Sequence, residues 1–134
     1  MVWRQKIFIS YDYDKDRFYK NLLQAWDQNK QFDFSFRDES VDVSINSDDE
    51  NYIKQVIRRK ISQSDIFLCL IGENTWRSNW VNWEIKKAFE LRKPIVAIKI
   101  QKNYLPPAAI MGVEAVWAYS FSFDSLREAL AKAG

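Results

Sequence analysis

The sequence predicts an α/β fold of the flavodoxin-like kind: a central five-stranded parallel sheet, strand order 2-1-3-4-5, between two layers of helices. Three observations lead there. Strand-like and helix-like patterns alternate five times along the chain, which calls for right-handed crossovers onto a parallel sheet. The run Asp65-Ile66-Phe67-Leu68-Cys69-Leu70-Ile71-Gly72 is the most apolar in the chain and does not alternate, as befits a central strand covered on both faces. Because this run is the third strand, the 2-1-3-4-5 order puts it in the middle. The ligand crevice then lies beyond the carboxyl ends of strands one and three.

The elements follow in order. Lys6-Ile7-Phe8-Ile9-Ser10-Tyr11 is short and rich in β-formers, and Asp12-Tyr13-Asp14 closes it as a turn. Asp14 is expected to cap a helix reaching about Lys30, with Phe18, Leu22 and Trp26 as its buried stripe. Phe32-Asp33-Phe34-Ser35-Phe36 alternates strictly and reads as a second strand near an edge. The polar loop from Arg37 to Asp48 carries Val41, Val43 and Ile45 in alternation, room for a short extra strand. Ser47 and Glu50 have capping-box spacing, so the next helix should start near Asp48 and bury Tyr52 or Ile53, Val56, Ile57, the stem of Lys60 and Ile61. Its Arg58, Arg59 and Lys60 read as a solvated side. After the third strand, Gly72 lets the chain turn into Glu73-Asn74-Thr75-Trp76. Ser78 or Asn79 caps a helix that Lys93-Pro94 ends. Pro94 to Ile100 and Ala115 to Tyr119 are the last strands, with Pro106-Pro107 in the loop between. Asp124 should cap a final helix bearing Leu126, Ala129 and Leu130.

Composition narrows the function. The chain has 134 residues, enough for one domain spanning 1–134, and 47% of them are apolar. Its net charge of +2 gives no basic surface of the kind nucleic acid demands. No histidine is present, which removes Ser-His and Cys-His nucleophiles and most zinc sites; no metal is expected. The one cysteine, Cys69, lies in the apolar run and reads as a buried thiol in a reducing compartment. No signal core or membrane-length run is evident, so a soluble cytoplasmic protein without membrane contact is the expectation. A receiver domain shares the architecture but needs an aspartate where the third strand ends in Leu70-Ile71-Gly72. A phosphate-cradling glycine loop is missing too, since the three glycines do not cluster.

The conspicuous stretch is Trp76-Arg77-Ser78-Asn79-Trp80-Val81-Asn82-Trp83-Glu84. Trp80 and Glu84 are four residues apart, about 6 Å along a helix axis and on one face. One carboxylate beside a flat aromatic surface, near a helix N-terminus that favours anions, suits a ligand with a ring and a phosphate. It also suits a developing positive charge. The plainer alternative makes Glu84 a solvated helix residue and the tryptophans core.

Trp80-Val81-Asn82-Trp83-Glu84 resembles the W-x-x-x-E motif of the catalytic helix in TIR domains. Phe8-Ile9-Ser10-Tyr11 resembles the first TIR box, and Arg37-Asp38 the start of the second. The resemblance runs from about Lys6 to Tyr119, and its nearest look is to the compact bacterial TIR-like proteins of Thoeris anti-phage systems. One departure stands out: the proline-glycine expected after Arg37-Asp38 is replaced by Glu39-Ser40-Val41-Asp42, the start of a longer acidic loop. The resemblance implies a TIR-like three-layer sandwich and cleavage of NAD, as substrate and not as cofactor, at the nicotinamide–ribose bond. It implies Glu84 as the catalytic carboxylate, with Trp76 and Trp80 as pocket walls and Ser10, Tyr11 and Asp12 as crevice floor. Arg37 would meet the diphosphate. Asn74 joins the substrate-binding candidates on topology instead, because Gly72-Glu73-Asn74 ends strand three at the predicted crevice. The resemblance further implies a cyclic ADP-ribose isomer as messenger to a separate effector protein, self-assembly, and a phage-derived trigger. The alternative is a non-catalytic interaction module, with Trp3, Tyr104 or Trp117 as interface anchors.

Overall fold

The computed structural model describes residues 5–28, 34–35 and 50–134. In chain order the elements are β1 (Gln5–Ser10), α1 (Tyr13–Gln28), β2 (Phe34–Ser35), α2 (Glu50–Gln63), β3 (Ile66–Ile71), a 3-10 turn (Thr75–Arg77), α3 (Asn79–Glu90), β4 (Ile95–Lys99), α4 (Ala108–Met111), β5 (Ala115–Trp117) and α5 (Phe123–Ala133). All strand pairs are parallel. Four strands form a continuous ladder in the order β1-β3-β4-β5. The two-residue β2 adds to the free edge of β1, through Gln5 opposite Phe34 and Lys6 opposite Ser35. The expected α/β fold on a parallel sheet is therefore present, with four full strands and a second strand reduced to an edge pairing. The expected extra strand in the acidic loop and the Ser47 cap lie outside the described residues.

Alternate side chains of each strand divide the core in two. Ile7, Ile9, Leu68, Leu70, Val96 and Ile98 face α1 and α5, where they meet Leu23, Leu126, Ala129 and Leu130. Phe8, Phe67, Cys69, Ile71 and Ala97 face α2, α3 and α4, meeting Ile57, Ile61, Val81, Ile85 and Ile110. Phe8 and Phe67 stack across β1 and β3 with centroids 5.5 Å apart. Every residue of β3 is buried, as its unbroken apolar run requires.

The phase of α1 differs from expectation. Phe18 is 71% exposed, and the inward face is Asp16, Lys20 and Leu23, with Tyr19 and Trp26 packed beside it. Phe121, ahead of α5, decides this, because Tyr19 and Trp26 lie 5.8 and 5.3 Å from its ring. Two caps also move by two residues. Asp12, not Asp14, caps α1, its Oδ1 accepting from the Asp14 amide. Ser122, not Asp124, caps α5 and accepts from the Ser125 amide. Ser78 caps α3, one of the two residues expected, by accepting from the Val81 amide. At the other end of α3, Arg92 takes the left-handed conformation (φ 58°) and Lys93 donates to Ala88, closing the helix before Pro94.

Candidate functional site

The site grows from the carboxyl end of β1. The Ser10 side chain points to the α3 face of the sheet, because it sits two residues after Phe8. Ser78 fixes the first turn of α3, and Val81, Ile85 and Ala88 seat that helix against β1 and β3. Glu84 lies on the same inward side, one turn beyond Val81. Its carboxylate is thereby carried down to β1, where Ser10 Oγ donates to Glu84 Oε1 at 2.6 Å. Glu84 is only 9% exposed. Burial pushes its pKa up to about 7, and the Ser10 hydrogen bond pulls against that rise. The plainer reading of Glu84 as a solvated helix residue therefore fails. Burial, together with the nearby Glu84, also raises the Cys69 thiol far above its ordinary value, so this sulfur is inert.

The other anticipated residues are distributed unevenly. Trp80 is 41% exposed, one helical turn before Glu84, its ring edge-on to Trp83 at 6.0 Å. Trp76 is also exposed, on the 3-10 turn, while Asn74 precedes that turn and its carbonyl accepts from Arg77. Asp12 is half-buried and occupied in capping α1. Tyr11, expected on the crevice floor, is instead a core residue on the α1 side of the sheet. The strand's alternation sends Ser10 and Tyr11 to opposite faces, so one crevice wall cannot use both. Arg37 lies outside the described residues. Among the described residues, two hollows run along α3 and α4, both lined by Phe89, Glu90, Gly112 and Val113, away from Glu84.

One arrangement was not anticipated. Asp16, 5% exposed, leans from α1 onto the turn that leaves β3. Thr75 Oγ1 donates to Asp16 Oδ2 at 3.3 Å and accepts from the Gly72 amide at 2.8 Å. Burial raises the Asp16 pKa; the Thr75 bond opposes this, and the Asp12 and Glu73 carboxylates add to it. Tyr104 is shifted upward too, by desolvation and then by Glu73, Tyr19 and Asp16. The turn feeding α3 is thus pinned from across the sheet. A charged residue on the inward phase of α1 was the available signal. Among the described residues no group of acidic and thiol side chains is spaced to hold a metal ion. Nor, among them, is any helix long and apolar enough to cross a membrane.

A parallel sheet wrapped by helices on both faces, with a helix-borne carboxylate brought to the end of its first strand, makes this an α/β protein of the flavodoxin-like kind. Residues 8–104 match the TIR-like domain of the Thoeris protein ThsB, and the chain belongs to that family. No curated protein matches it. Among solved structures it is similar to the CMP N-glycosidase BcmB of Clostridium botulinum, at 14% identity and a TM-score of 0.60 over 95% of this chain and 99% of that one. It is also similar to a 2-deoxyribosyltransferase from Bacillus psychrosaccharolyticus, at 15% and 0.58 over 90% and 95%. The TIR domains of the activated Roq1 resistosome match at 15% and 0.51, over 72% of this chain and 59% of that one. At such identities the likeness is one of fold alone.

Proposed function

We propose that this protein cleaves NAD at the nicotinamide–ribose bond, with Glu84 as the acting carboxylate. The observation that carries the proposal is the placement of Glu84: nearly buried, held by Ser10, and one helical turn from the exposed Trp80. When the bond breaks, its electron pair goes to the ring nitrogen and the pyridinium leaves as neutral nicotinamide. No proton donor is needed for that departure. What remains is a ribosyl cation, which a desolvated carboxylate stabilises far better than an exposed one would. A single acid without histidine is enough for this chemistry, unlike the carboxylate pairs of ordinary glycosidases. The fold neighbours lend support, since one is named an N-glycosidase and another a deoxyribosyltransferase. Capture of the cation by water gives ADP-ribose. Capture by a hydroxyl of the same molecule gives a cyclic ADP-ribose isomer, our preferred product, as a signal to a separate effector in anti-phage defence. We place the protein in the cytoplasm, with activity awaiting self-assembly or a phage-derived trigger.

The test is mass spectrometry of NAD incubated with purified protein, or of lysates from expressing cells after phage challenge. Release of nicotinamide with a cyclic isomer is the expected result. Nicotinamide with linear ADP-ribose identifies a hydrolase, and intact NAD in both preparations overturns the proposal. A pH series tests the role of Glu84 separately. The ionised form is the active one, so kcat/KM should rise about tenfold per pH unit until about 7 and then level off. Ser10→Ala removes the bond that favours ionisation, which should move the midpoint upward by about one unit. A profile that falls through the same range would make Glu84 a proton donor and defeat the assignment.

A second reading is favoured by the large exposed side chains Trp76, Trp80, Trp117 and Met111. In it the chain is an assembly module, and these residues anchor contacts with other proteins. Intact NAD together with concentration-dependent oligomers that Trp80→Ala disperses would favour it.

A further inference from the structure

We propose that the hollow at the carboxyl ends of β4 and β5 is a second ligand site, and that it takes a nucleotide. Its volume is about 390 Å³, and Lys99, Lys102, Trp117, Tyr119 and Ser120 are among its lining. Trp117 is 41% exposed and Tyr119 67%, so two large aromatic surfaces stand open to one small cavity. Lys99 Nζ lies 5.7 Å from the centroid of the Trp117 ring and donates to the Lys102 carbonyl at 3.4 Å. These contacts hold one ammonium group beside the indole and against the backbone of Lys102, which also lines the cavity. Among the described residues no acidic side chain lines the cavity. A positive, aromatic hollow complements a ligand that is flat at one end and anionic at the other. A base stacks on an indole whatever its identity, and the lysines meet the phosphate as point charges.

The sheet register gives this site a definite relation to Glu84. Ser10 pairs with Cys69, Cys69 with Ala97, and Ala97 with Trp117, so Ser10 and Trp117 occupy one row on one face. Three strand spacings separate them, about 14 Å. The nucleotide therefore has two available sources: the far half of a dinucleotide whose other half lies at Glu84, or a separate mononucleotide.

Calorimetric titration separates them without any need for turnover. AMP is titrated into the wild type, Trp117→Ala and the double variant Lys99→Gln/Lys102→Gln, with circular dichroism confirming that each is folded. NAD is titrated into Glu84→Gln with and without Trp117→Ala. We expect saturable AMP binding, weakened roughly tenfold by Trp117→Ala and weakened also by the lysine substitutions, with affinity falling as salt rises. Parallel loss of NAD affinity on adding Trp117→Ala to Glu84→Gln assigns the site to the far half of a dinucleotide. Loss for AMP alone assigns it to a separate mononucleotide. Absence of saturable AMP binding to the wild type overturns the proposal, as does binding that both sets of substitutions leave unchanged. NAD cleavage can fail while AMP still binds, so the two proposals fall independently.

Discussion

Glu84→Gln is expected to reduce NAD cleavage by at least about a thousandfold while making the folded protein more stable above neutral pH. The two effects share one cause. A buried carboxylate stabilises a substrate cation because burial has stripped away hydration that one hydrogen bond does not replace. Folding raises the Glu84 pKa from 4.5 to about 7, so between those values the folded chain binds protons more readily than the unfolded chain. Stability must then fall as pH climbs through that window. The penalty is absent below about 4.5 and complete above about 7, where it reaches at most about 3 kcal/mol. Glutamine keeps the shape and can still bond Ser10, but it has no charge to desolvate. Melting curves of the two proteins should converge near pH 4.5 and separate by pH 8, the variant melting higher. Equal NAD turnover by both would remove Glu84 from the chemistry. Equal melting at pH 8 would mean that its carboxylate is not held away from water.

How much of this was legible beforehand depends on the reach of each signal. The apolar run that became β3, the Ser78 cap and the spacing of Trp80 and Glu84 are written within a dozen consecutive residues or fewer, and each reappears in the fold. The phase of α1 was not legible. Apolar residues at 18, 22 and 26 and at 19, 23 and 26 both make a plausible stripe, and the choice rests on Phe121, about a hundred positions away. Three aspartates at 12, 14 and 16 each fit a capping role by composition, and only the turn leaving β1 selects Asp12. The contact that turns a helix glutamate into a buried acid joins residues 74 positions apart. Local spacing and topology carried Glu84 to the carboxyl end of the sheet, but could not name Ser10 Oγ as its partner. It also grouped Ser10 with Tyr11, although the pleat sends them to opposite faces.

The same limit applies to Gly72, and here the physical reason proves different from the one a turn suggests. No glycine among the described residues has a positive φ, so backbone freedom is not what position 72 needs. What it needs is the absence of a side chain. A Cβ built there would collide with the Asp16 carboxylate, with both Oδ2 and Cγ. Asp16 is short, buried and tied to Thr75, so it cannot swing clear without surrendering that bond and opening the wall of α1. Gly72→Ala should therefore cost about 2–4 kcal/mol, from overpacking plus the lost hydrogen bond, and lower the melting temperature by roughly 10 °C. NAD turnover should fall with it, because the displaced turn carries Thr75 and, three residues later, the Ser78 cap that aims α3 and Glu84. A double-mutant cycle isolates the cause. Asp16→Ala leaves room for the new methyl group, so alanine at position 72 should cost much less in that background than alone. An equal cost in both backgrounds would show that Asp16 does not press on the glycine, and the pinning of the α3 turn from across the sheet would have to be abandoned.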